Sequence, residues 1–121
     1  MALAALAFLA GCGSGGDTDS REEALKGHLG ALRDARVSCE EKSCTVTAER
    51  ALLNVYSATL VAAPVIERAL DDPDLDDVEA ISVTLDDAAK EQVFSLRCET
   101  DKVPRPVTVD ALRKSCHSIF T

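Results

Sequence analysis

From Ala51 to Ile66 the chain carries no charged residue, although 28% of its residues overall are Asp, Glu, Lys or Arg. A run of that composition has to be covered, because leaving it in water forfeits the burial that drives folding. Asn54, Ser57, Thr59 and Pro64 interrupt it, and it is too short to cross roughly 30 Å of hydrocarbon. It therefore reads as the most buried part of a soluble core, with a ligand-contacting cleft as the competing reading. Leu52, Tyr56, Leu60 and Ala63 share one helical face. Pro64 has no N–H for an interior helical bond, so the pattern predicts a helix to about Ala62. A second helix would start with Pro64 near its first position and end near Leu70.

The rest of the pattern gathers round this run. Ser20-Arg21-Glu22-Glu23 has the spacing of a capping box, and Leu25, Leu29, Leu32 and Ala35 follow at helical intervals, which predicts an amphipathic helix over 21–36. His28 lies beside that stripe and reads as a structural histidine. Val37-Ser38-Cys39 and Cys44-Thr45-Val46-Thr47 are β-prone segments on either side of a four-residue turn, Glu40 to Ser43. Ile81, Val83 and Leu85 alternate with polar residues, as do Phe94, Leu96 and Cys98, so a second hairpin is expected across Asp86–Lys90. Thr108 resembles an N-cap for a short helix carrying Val109, Leu112 and Cys116 on one face. The expected fold is an α+β domain: a four-stranded, mainly antiparallel sheet made of two hairpins, with helices packed on one face. Ser82, Thr84, Ser95 and Arg97 would point out of the sheet, which suits one solvated face.

Ahead of this domain, Leu9-Ala10-Gly11-Cys12 follows small and apolar residues and precedes Gly13-Ser14-Gly15-Gly16. This stretch resembles the lipobox of bacterial lipoproteins. The resemblance implies export, acylation of the Cys12 thiol and cleavage before it, which places the chain at the cell membrane, lipid-anchored on the extracytoplasmic face. Residues 1–11 would then be a signal peptide. Apart from Met1 nothing in it can carry a positive charge, which implies a start further upstream or a truncated sequence. Residues 12–20 would be the lipidated cysteine and a flexible tether, and 21–121 a single domain. The lipid anchor would be the contact with the membrane, because an acidic surface is repelled by anionic lipid.

Setting Cys12 aside leaves Cys39, Cys44, Cys98 and Cys116. An even number in a small exported domain implies two disulfides, and four cysteines allow three connectivities. Cys39–Cys44 and Cys98–Cys116 are favoured because each joins elements expected to be neighbours. A redox pair would normally be C-x-x-C, and zinc would want tighter Cys/His spacing. The segments V-S-C-x₄-C-T-V-T, A-P-V-I-E-R-A-L-D-D-P-D-L-D-D-V, L-R-C and A-L-R-K-S-C, in that order, resemble small envelope lipoproteins of high-GC actinobacteria. That likeness implies an envelope protein with two disulfides and supplies no catalytic residues.

The remaining features bound the function. A net charge of −8 repels phosphate backbones and argues against nucleic-acid binding. Aromatic residues make up only 3%, with no Trp, which argues against surfaces that stack sugars or bases. The aspartate run from Asp71 to Asp77 fails the EF-hand pattern, since positions six and twelve counted from Asp72 hold Asp77 and Val83. No G-x-S-x-G, H-E-x-x-H or phosphate loop is present, and the two histidines, His28 and His117, lie far apart. The sequence is read as a non-catalytic binding or interaction module, monomeric, without cofactor or metal, whose partner is another envelope component. The alternatives are a carrier of a small hydrophobic ligand using Ala51–Ile66, or an inhibitor of an envelope enzyme.

Overall fold

The computed structural model describes residues 20–121 apart from Arg33 and Leu53. Helix α1 occupies 20–26 and buries Leu25. It does not continue to 36. The chain turns after Lys26, and Gly30 takes a left-handed φ of 56°, which a right-handed helix cannot contain. A 3₁₀ turn at Gly30–Leu32 carries Leu32 into the core, so the leucine spacing continues although the helix does not. Ser20 already lies within the helix instead of standing before it as a cap.

Strands β1 (Arg36–Glu40) and β2 (Ser43–Glu49) form the first hairpin. Its turn is tighter than expected, because Glu40 and Ser43 are paired and only Glu41 and Lys42 lie between strands. Glu41 accommodates this with a left-handed φ of 54°. Helix α2 (Val55–Leu70) then crosses over to β3 (Ala80–Asp87), which pairs with β2 in parallel. Strand β4 (Gln92–Glu99) returns antiparallel to β3. After α3 (Val109–Ser115), strand β5 (His117–Phe120) adds antiparallel to β4. The sheet has five strands in the order β1-β2-β3-β4-β5 and is mixed, where four mainly antiparallel strands were expected. The α+β class holds.

Helix α2 is one element, not two. Asn54 caps it by accepting from the Ser57 N–H at 2.8 Å, and the Ser57 hydroxyl accepts in return from the Asn54 N–H. Pro64 sits inside the helix because both it and Leu60 are solvent-exposed. The carbonyl that loses its bond is that of Leu60, where water can take it. The opposite face buries Ala58, Ala62, Val65, Ile66 and Ala69 over the sheet. There they meet Val46, Ile81, Val83, Leu85, Leu96 and Phe94, the largest fully buried side chain.

Disulfides join Cys39 to Cys44 and Cys98 to Cys116. The first links residues directly opposite in the first hairpin, and the second ties the end of α3, just ahead of β5, to β4. Replacing Cys98 and Cys116 together by alanine is expected to lower stability by about 3 kcal/mol, through the chain entropy of the released loop, in a urea titration. Glu91, which closes the turn between β3 and β4, has a left-handed φ of 53°. Glu91→Gly is expected to raise the urea midpoint, by roughly 0.5–1 kcal/mol of stability, because glycine relieves that conformation.

Candidate interaction surface

The register of the sheet sets the surface left open by the helices. Alternate residues of every strand point into the core, so their neighbours form rows on the other face. One row reads Ser38, Thr45, Ser82, Arg97 and His117 across the five strands, and the next reads Arg36, Thr47, Thr84, Ser95 and Ile119. None of the ten is buried. The Thr84 and Ser95 hydroxyls approach to 3.3 Å across the strands. The two rows thus present hydroxyls along the centre of the face, with Arg36 near one edge and Arg97 and His117 near the other. Acidic residues rim them, Glu40 and Glu99 at one end of the strands and Glu49 and Asp86 at the other.

At the first rim, beside Glu99, lies a cleft of about 580 Å³ lined in part by Lys42, Asp76, Asp77, Glu79 and Asp101. Two of its carboxylates, Glu99 and Asp77, have lowered pKa values. The Glu99 carboxylate lies 2.9 Å from the Lys102 ammonium, whose hydrogen bond lowers its pKa while the lysine's is raised. The Arg21 guanidinium, 2.5 Å from Asp77, lowers that pKa by its hydrogen bond and charge. Arg21 also donates to the Glu41 carbonyl and so ties α1 to the turn of the first hairpin. Among the described residues no three His, Cys, Asp or Glu side chains converge closely enough to hold a metal ion.

Each side chain singled out in the sequence has a definite place, apart from those that lie outside the described residues. Cys12 and the lipobox residues Leu9, Ala10 and Gly11 are among the latter, as are residues 1–19 altogether. His28 is half-buried and lies 2.6 Å from the Asp72 carboxylate, whose pKa it lowers by that hydrogen bond. His117 is exposed on β5, away from His28. The uncharged run contributes its inner side to the core, whereas the clefts described above and beside Asp34 and Arg36 are polar. No described helix is long and apolar enough to cross a membrane.

Two structural carboxylates escaped the sequence reading. Glu22 on α1 accepts from the Cys39 N–H at 2.8 Å and covers the outer edge of β1. Asp87 is buried at the end of β3, where its Oδ2 accepts from the Leu52 N–H at 2.8 Å, while the Lys90 ammonium donates to the Leu52 carbonyl. This pair fixes the entry to α2, and neither partner had a local spacing that would have revealed it. By contrast, the Asn54–Ser57 cap follows a spacing that is readable in sequence.

No protein-family model matches the chain, and no curated protein or solved structure is significantly similar to it.

The Asp87 pKa is lowered, chiefly by the Leu52 N–H and further by Lys90. A carboxylate lowered in the folded state stabilises it at pH values above the unfolded value near 3.8, and that contribution is lost as pH falls through the lower folded value. Asp87→Asn is therefore expected to be less stable than the parent at pH 7, with the gap narrowing below the unfolded value. Thermal melts of both proteins across that range would check it.

Proposed function

We propose that this chain is an exported, lipid-anchored envelope protein whose domain is a non-catalytic binding module presenting the open sheet face to another envelope component. The observation that carries the reading is that face: a hydroxyl-rich surface with two arginines, left uncovered by the described helices and backed by a core stapled with two disulfides. A rigid sheet lets each hydroxyl and guanidinium be placed before a partner arrives, which lowers the ordering cost of binding. The lipobox-like Leu9-Ala10-Gly11-Cys12 motif supplies the anchor, and the disulfides suit an oxidising compartment.

The electrostatics favour binding over catalysis. A general acid needs a carboxyl raised toward neutrality, usually by burial. Asp72, Asp77, Asp87 and Glu99, the carboxyls with displaced values among the described residues, are all displaced downward by hydrogen-bond donors. Inhibition of an envelope enzyme would be one form of such binding. The carrier reading is weakened because Ala58, Ala62, Val65 and Ile66 pack into the core and line neither of the clefts described.

Mass spectrometry of the protein from its native host is expected to show acyl mass on a chain beginning at Cys12. A photo-crosslinking residue at Thr84 is expected to capture a specific envelope component, and the same residue at Glu67 on the outer side of α2 is not. Capture at Glu67 alone would reject the sheet face as the binding surface.

A further inference from the structure

We infer that the helix layer lies against the lipid surface, with the outer stripe of α2 seated in the headgroup region and the open sheet face turned away from the membrane. This rests on the lipid-anchored reading above. Tyr56 is 54% exposed and Leu60 is 47% exposed. They stand four residues apart, and exposed Pro64 follows four later, so the three share one side of α2. No charged residue occurs from Val55 to Ile66, so nothing in that stripe resists transfer out of bulk water as an ion would. Tyrosine, apolar in its ring and polar at its tip, is the kind of side chain that settles at a membrane interface.

An anchored Cys12 brings a bilayer within reach of the stripe. Eight residues lead from Cys12 to Ser20, a span of at most about 28 Å. They enter α1, which shares with α2 the single core through Leu25. Helix α2 is itself about 24 Å long, so an anchored Cys12 keeps the whole helix layer within reach of the bilayer. Two half-exposed side chains make a weak contact alone, but a short tether holds them at an effective concentration in the millimolar range. Asp77 and Glu41, beside the start of α1, repel anionic headgroups, so the contact is with the uncharged interface and not with phosphatidylserine-like charge.

The chain has no tryptophan, so a single one reports its own surroundings. Acylated protein from the native host, carrying either Tyr56→Trp or Ile119→Trp, is bound to phosphatidylcholine vesicles with brominated acyl chains. Circular dichroism verifies that each is folded, flotation that each is vesicle-bound, and mass spectrometry that each is acylated. The expected result is a blue shift and loss of most emission for Tyr56→Trp, with neither for Ile119→Trp on the open sheet face. Acylated, vesicle-bound protein with equal quenching at both sites, or none at Tyr56→Trp, overturns the orientation and leaves the anchored reading intact. Emission from Tyr56→Trp that is already blue-shifted without vesicles overturns it in favour of a second protein surface on α2. Protein without acyl mass overturns the anchored reading and this inference with it.

Discussion

Everything in this fold depends on the parallel pairing of β2 with β3. Parallel neighbours cannot be joined by a tight turn, so the chain must leave one end of β2 and return to the other end of the sheet. Helix α2 makes that journey, and the uncharged run is the sequence that makes it affordable in a small domain. Its inner residues are mostly small, Ala58, Ala62 and Ala69, with Val65 and Ile66 between them. Small side chains let the helix approach the sheet closely, and the bulk is supplied from the sheet side by Phe94, Leu96, Ile81 and Leu85. A core with few aromatics is thereby built mainly from aliphatic side chains, with its bulk on the sheet side.

A crossover helix needs its ends fixed, and here polar groups do that. At its start, the Leu52 N–H and carbonyl are taken by Asp87 and Lys90, and the Arg50 N–H bonds the Asp86 carbonyl at 3.0 Å. The backbone entering α2 is thus registered against the end of β3 and the turn that follows. At its far end, Asp72 accepts from the Asp74 N–H and meets His28, and Arg105 pairs with Asp71. The Asp87 site is buried, so losing one partner strands a backbone donor without water; the Arg105–Asp71 pair is half-exposed and contributes little. The acidic loop after α2 is engaged with the chain's own His28, Arg21 and Arg105.

What could be read from the sequence was what short-range physics decides. The alternations in β3 and β4, the first hairpin, the Thr108 cap with its bond from the Ala111 N–H, and the pairing of cysteines on neighbouring elements all follow from local spacing. What could not be read depended on distant partners. The leucine period from Leu25 to Leu32 looked like one helix because a 3₁₀ turn after Gly30 keeps the same face inward. Pro64 looked like a boundary because only the tertiary structure tells which side of α2 faces water. Strand β5 is four residues long, and its alternation is too brief to announce a strand. The open sheet face was legible in part: Ser82, Thr84, Ser95 and Arg97 were identifiable, but Arg36, Ser38, Thr47 and Ile119 join them only through the register of outer strands.

The two edges of the sheet are protected by different physics. On β1, the Cys39 N–H points outward and would be a template for another strand, but the Glu22 carboxylate occupies it. On β5 no such side chain is seen on the outward groups among the described residues. Val93 and Thr121 exchange both backbone bonds at 3.0 Å, so by the alternation of an antiparallel ladder Ser118 and Phe120 direct their N–H and carbonyl groups away from β4. That edge is only four residues long, and the chain carries a net charge of −8. Edge-to-edge pairing of two copies through β5 would gain few hydrogen bonds while bringing two acidic bodies together. Shortness and like charge thus do for the last strand what a single carboxylate does for the first.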